Sequence, residues 1–195
     1  LRYTADDLDL SGMSDSGCCA VRHSTTGYVF MYGQAAISWG CKKLSSIALS
    51  SCEAEIVALR ETGKEGVYLS RYLSELGFPA QSPVQIATDN SGARDLSYNP
   101  EHHDRVKHVE RRHFYIRELV EEKSVVVPFV STHENIADCF TKPLAGKNFY
   151  RLRNVIMKVT PEDRAHASLA RRAERVVACA AACAAIAQLA VVLAS

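Results

Sequence analysis

Residues 45–59 read Ser-Ser-Ile-Ala-Leu-Ser-Ser-Cys-Glu-Ala-Glu-Ile-Val-Ala-Leu, and the fold turns on them. The first five continue an apolar strand. Ser50 stands three residues before Glu53, the spacing at which a hydroxyl caps a helix start. From there to about Leu76 the chain reads as one long helix. Leu69, Tyr72, Leu73 and Leu76 form an apolar stripe on it, and Gly77 and Pro79 stop it. Gly63 and Gly66 inside this helix each cost about 1 kcal/mol relative to alanine. They point to close packing against a sheet, or to drift in an unselected copy.

Upstream, residues 25–32 are rich in β-branched and aromatic types and read as a strand. Gly33 and Gln34 make a turn, and residues 35–39 begin the strand that 45–49 continue. Residues 8–15 read as an earlier strand. Three strands joined by short links are most simply antiparallel neighbours. Downstream, residues 84–88 form a fourth strand and 90–96 a short helix closed by Asn99-Pro100. Residues 105–123 form a helix with a basic face. Residues 124–130 form a fifth strand, where Pro128 indicates a sheet edge. A last helix starts at Glu134, is interrupted at Pro143 and resumes near Lys147. The expectation is an α/β domain: a five-stranded mixed sheet, its first three strands antiparallel, flanked by helices.

Composition sets limits on function. The chain has 195 residues, is 47% hydrophobic and 23% charged, and carries a net charge of +1. It is not a bulk polycation, so nucleic-acid binding requires a local basic patch. Seven cysteines, an odd number with no CxxC spacing, argue for reduced thiols in an intracellular compartment. The first twenty residues lack the continuous apolar stretch of a secretory signal. Residues 1–158 read as the folded domain, and 159–195 as an Ala-rich, helical tail. Within it, residues 176–194 carry no charge. However, alanine contributes little to insertion and Gln188 opposes it, so no membrane contact is expected.

Four acidic residues stand in recognisable settings. Asp15 and Asp89 close expected strands, while Glu55 and Asp138 open helices. Four carboxylates brought together repel unless cations lie between them. An oxygen-rich, histidine-poor set suits Mg²⁺ or Mn²⁺, and two such ions can clamp both oxygens of a phosphodiester displacement. An acidic residue in a helix's first turn also complements the macrodipole, so Glu55 or Asp138 alone would be structural. Glu53 fits that capping role. A tetrahedral zinc site through His108, His113 and Cys139 lacks its fourth ligand, because Lys142 stands where a cysteine is required. Cys52 reads as a buried inert thiol.

Six blocks in order carry a resemblance: STTGYVF (24–30), AISW (36–39), Lys42-Lys43, ALSSCEAE (48–55), KHVE (107–110) and IADCFTKPL (136–144). Together they resemble the ribonuclease H domain of copia-type retrotransposon Pol polyproteins, over about residues 1–158. The resemblance implies a ribonuclease H-like fold. It implies endonucleolytic hydrolysis of the RNA strand of RNA–DNA hybrids during reverse transcription, with two Mg²⁺ or Mn²⁺ ions. Asp15, Glu55, Asp89 and Asp138 would be catalytic metal ligands, and His133 an aid to proton transfer or product release. Arg105, Lys107, His108, Arg111 and Arg112 would contact the hybrid. The implied partner is the reverse transcriptase domain of the same polyprotein, and the isolated domain would be monomeric. The implied location is a cytoplasmic virus-like particle or the nucleus.

The segment after Asp15 departs from the family. It is shorter and lacks a second aspartate and a Trp-Ala-Gly. A rival expectation is therefore a catalytically degraded ribonuclease H-like module that only binds nucleic acid or packs against a polymerase domain. A tail-anchored membrane protein is a third reading. Metal-dependent cleavage separates the first two, and detergent partitioning the third.

Overall fold

The computed structural model describes residues 1, 3, 8–17, 23–45, 47–48, 50–78, 83–99 and 114–165. The chain divides into two compact units, Leu1–Lys158 and Val159–Ser195. In the second, a helical turn over residues 161–165 is capped reciprocally. Asp163 accepts from the Thr160 amide at 2.9 Å, and the Asp163 amide donates to the Thr160 hydroxyl at 3.2 Å.

The first unit is built on β1 (Ser11–Gly17), β2 (Thr25–Tyr32), β3 (Ala35–Lys43), β4 (Val84–Ala87) and β5 (Val125–Val126). Its helices are α1 (Ser51–Glu75), α2 (Ser91–Tyr98), α3 (Phe114–Glu121), α4 (Asp138–Thr141) and α5 (Gly146–Ile156). The sheet order is β3-β2-β1-β4-β5. β1, β2 and β3 pair antiparallel, whereas β4 runs parallel to β1 and β5 parallel to β4. This is the expected mixed sheet.

Boundaries differ from the sequence reading where partners run out. β3 ends at Lys43, which pairs with Thr25, the first residue of β2. Ser45, Ile47 and Ala48 therefore lie outside it, not in its continuation. β5 keeps two residues because Pro128 offers no N–H. The edge contact resumes beyond it, where the Val130 amide donates to the Thr88 carbonyl at 2.9 Å. β1 extends to Gly17, so Asp15 lies inside the strand instead of closing it.

Adjacent residues of a strand face opposite ways, and β2 divides the core accordingly. Phe30 packs with Leu59, Ile86, Ile116 and Val125 beneath α1 and α3. Val29 packs with Ile136, Ala137 and Leu152 beneath α4 and α5. The two helix glycines serve close packing. A methyl at Gly66 would lie 3.0 Å from the Phe30 ring, and one at Gly63 would lie 3.0 Å from Leu119. Ser50 caps α1, accepting from the Glu53 amide at 3.1 Å.

Candidate metal centre

Three carboxylates converge at one end of the sheet. Asp15 comes from β1, Glu55 from α1 just past its first turn and Asp89 from the residue after the β4 bridge. Each places an oxygen within 4.8 Å of the others. Each is fixed by its backbone. β1 is held on both sides by ladders, and the capped start of α1 fixes Glu55. Asp89 is flanked by Thr88, whose amide donates to Pro128, and by Asn90, which caps α2 by accepting from the Ala93 amide at 2.9 Å.

The fourth acidic residue is placed differently. Asp138 is buried at the start of α4, outside the group of three. Lys142 bridges it to Asp15, its ammonium lying 2.7 Å from Asp138 Oδ1 and 3.1 Å from Asp15 Oδ1. The Thr141 hydroxyl donates to the other Asp15 oxygen. Asp15 pairs across the ladder with Gly27, where a methyl would lie 2.7 Å from the Thr141 methyl. The missing side chain at Gly27 is what lets α4 reach Asp15. Asn135, fully buried, clamps the preceding turn. It donates to the Ser14 carbonyl at 3.0 Å and accepts from the Ala137 amide at 3.1 Å.

Electrostatics differ between the two flanks. The Glu55 pKa is pushed up to about 8, first by burial, then by Asp15 and Asp89. The Ser16 amide donates to its Oε1 at 3.2 Å and opposes that rise only in part. Burial also raises Asp138, with Asp15 and Asp89 adding to it and Lys142 opposing. Burial works against the Lys142 ammonium, but Asp138 and Asp15 outweigh it and hold its pKa well above the usual value.

The donors fit a divalent ion. They are all oxygen, as hard cations require. Among the described residues Glu55 Oε2 is buried with no hydrogen-bond partner, so one acceptor of the site is left open. Asp15, Glu55 and Asp89 would hold such an ion.

The other sequence candidates are less engaged. His133 is exposed, and its backbone carbonyl accepts from Arg151. Arg105, Lys107, His108, Arg111 and Arg112 lie outside the described residues, as do residues 18–22 of the shortened segment. Burial and Glu55 raise the Cys52 thiol, in keeping with an inert cysteine. The sequence reading missed Thr141, Lys142 and Asn135 as site residues. The i, i+4 spacing of Asp138 and Lys142 was the available signal for an ion pair.

The sheet order, strand directions and helix placement are those of a ribonuclease H-like fold. A solved ribonuclease H1, isolated from compost by a metagenomic approach, superposes with a TM-score of 0.51 at 14% identity. It covers 69% of this chain and 93% of that one. The Pol polyprotein of transposon TNT 1-94 of Nicotiana tabacum is 40% identical over 150 residues, which is 77% of this chain. That of transposon RE2 of Arabidopsis thaliana is 40% identical over 162 residues, or 82% of this chain. The chain spans 11% of the length of each. No protein-family model matches. By sequence and fold together, the chain belongs with the ribonuclease H domains of copia-type retrotransposon Pol polyproteins.

Proposed function

We propose that this domain hydrolyses the RNA strand of RNA–DNA hybrids, endonucleolytically and with two Mg²⁺ or Mn²⁺ ions, during retrotransposon reverse transcription. The observation that carries this is the convergence of Asp15, Glu55 and Asp89 within 4.8 Å at one end of the sheet. Bound there, divalent ions supply an activated water and stabilise the departing 3′ oxygen. Asp15, Glu55 and Asp89 hold the charge, and Asp138 faces Asp15 from the other side through Lys142. Asn135 fixes the turn that carries Asp138. His133, exposed near this turn, would exchange protons with solvent.

The hybrid would lie against the basic stretch of Arg105, Lys107, His108, Arg111 and Arg112, whose phosphate contacts position it without reading sequence. The reverse transcriptase region of the same polyprotein would present the hybrid, in a virus-like particle or the nucleus. Among the described residues no helix is long and apolar enough to cross a membrane.

A second reading has its own support. Lys142 already neutralises part of the acidic site, which suits a module that binds nucleic acid without cutting it. Cleavage of an end-labelled RNA–DNA hybrid, with and without Mg²⁺ or Mn²⁺, decides between them. The nuclease reading expects metal-dependent internal cuts in the RNA strand. Hybrid binding with no cuts under either ion would favour the binding module.

A further inference from the structure

We propose that Lys142 is a built-in cation at the Asp15–Asp138 flank of the site, and that a second divalent ion binds only by displacing it. The proposal rests on the two-ion reading above. One ammonium lies within hydrogen-bond reach of two buried carboxylates, Asp15 at 3.1 Å and Asp138 at 2.7 Å. On the other flank, toward Glu55 and Asp89, no cationic side chain joins the group among the described ion pairs, and Glu55 Oε2 has no hydrogen-bond partner among the described residues. The cluster is therefore divided. One flank is left to an exogenous cation, and the other is already served by the chain.

Displacement is feasible because of where Lys142 sits. It is the residue at which α4 ends, with an extended backbone (φ −126°, ψ 142°). Its side chain is 36% exposed, whereas that of Asp138 is 11% exposed. A lysine has a flexible four-carbon stem and an ammonium that water solvates well. It can swing outward without disturbing α4, which Asn135 and the Gly27 contact hold independently. The consequence is ordered loading. The first ion meets Glu55 and Asp89, which no described cation pairs, along with one side of Asp15, and the second competes with a tethered charge at high effective concentration. The resting protein is kept from accumulating two ions, and hence from full activity, at low divalent concentration.

The test is a Mn²⁺ titration of the whole chain, followed by electron paramagnetic resonance, on wild type and Lys142→Met. Wild type is expected to bind one ion tightly and a second more weakly. Lys142→Met should tighten the second step by at least about tenfold and change the first by less than about threefold. A second measurement needs no variant. Lys142 of the wild type is labelled with an amine-reactive reagent and quantified by mass spectrometry as Mn²⁺ rises. Labelling should be slow without metal and accelerate over the concentration range of the second step. Two binding steps insensitive to Lys142→Met, or labelling that Mn²⁺ does not accelerate, would overturn the displacement proposal and leave the metal site standing. Absence of any Mn²⁺ binding would overturn both.

Discussion

The two flanks of Asp15 face the same problem, negative charge taken out of water, and answer it differently. Toward α1, Glu55 and Asp89 approach Asp15 with no counter-charge among the described ion pairs, and the Glu55 pKa rises to about 8. Toward α4, Lys142 and Thr141 satisfy both Asp15 oxygens and tie in Asp138. Only the first arrangement needs a bound proton or an external cation to relieve its repulsion. A flank with open, repelling acceptors is built for a ligand, and a flank whose charges are paired is built to hold its shape. Acidic residues that lie close together in one site are thus not equivalent.

The largest expected effect breaks the open flank. Asp89→Asn removes one ligand charge, and hybrid cleavage should fall by at least about a hundredfold, since misplacing a reacting group alone costs that much. The apo protein should remain folded, with unchanged or higher Tm, because repulsion on Glu55 is relieved. Circular dichroism and a cleavage assay on the same preparation check both halves.

The next effect concerns pH. Glu55 is protonated more readily in the folded state, at about 8, than at its ordinary 4.5. Between these values the folded protein binds more protons than the unfolded chain, so stability falls as pH rises. Asp138, also raised, acts in the same direction. Without metal, Tm should drop by roughly 5 to 10 °C from pH 5 to pH 8. Saturating Mg²⁺, which favours the ionised carboxylates, should shrink that drop. A metal-free melting series with no slope across this window would remove the distinction between the flanks.

The paired flank is tested through Asn135. Asn135→Ala leaves the Ser14 carbonyl and the Ala137 amide unpaired in the interior, at a cost of roughly 2 to 3 kcal/mol in denaturant unfolding. Cleavage should weaken as α4 loosens. The smallest effect is Ser50→Ala. Losing the α1 cap should cost about 1 kcal/mol and spare most activity, because the Glu55 backbone stays helical.

Much of the fold was legible in residues. The Ser50–Glu53 cap, the Gly33–Gln34 turn and the β-branched and aromatic run of β2 express local rules, and the structure follows them. Strand ends were not legible, because they depend on where a partner stops. Lys43 ends β3 only because Thr25 begins β2. Likewise Asp15, Glu55 and Asp89 could be named from their local settings. That Lys142 lies between Asp15 and Asp138 could not, since it requires Gly27 to admit α4 against β1 and β2. Such contacts across 127 positions leave no pattern in a single sequence.

Asp15, Glu55 and Asp89 are expected to hold one divalent cation jointly. Crystals of the domain soaked in Mn²⁺ at low concentration, with anomalous data collected at the manganese edge, test it most directly. The expected result is a single strong peak in contact with all three carboxylates, with Lys142 still on Asp138. No peak there at saturating Mn²⁺, or a peak that contacts Asp138 and leaves Glu55 and Asp89 bare, would contradict it.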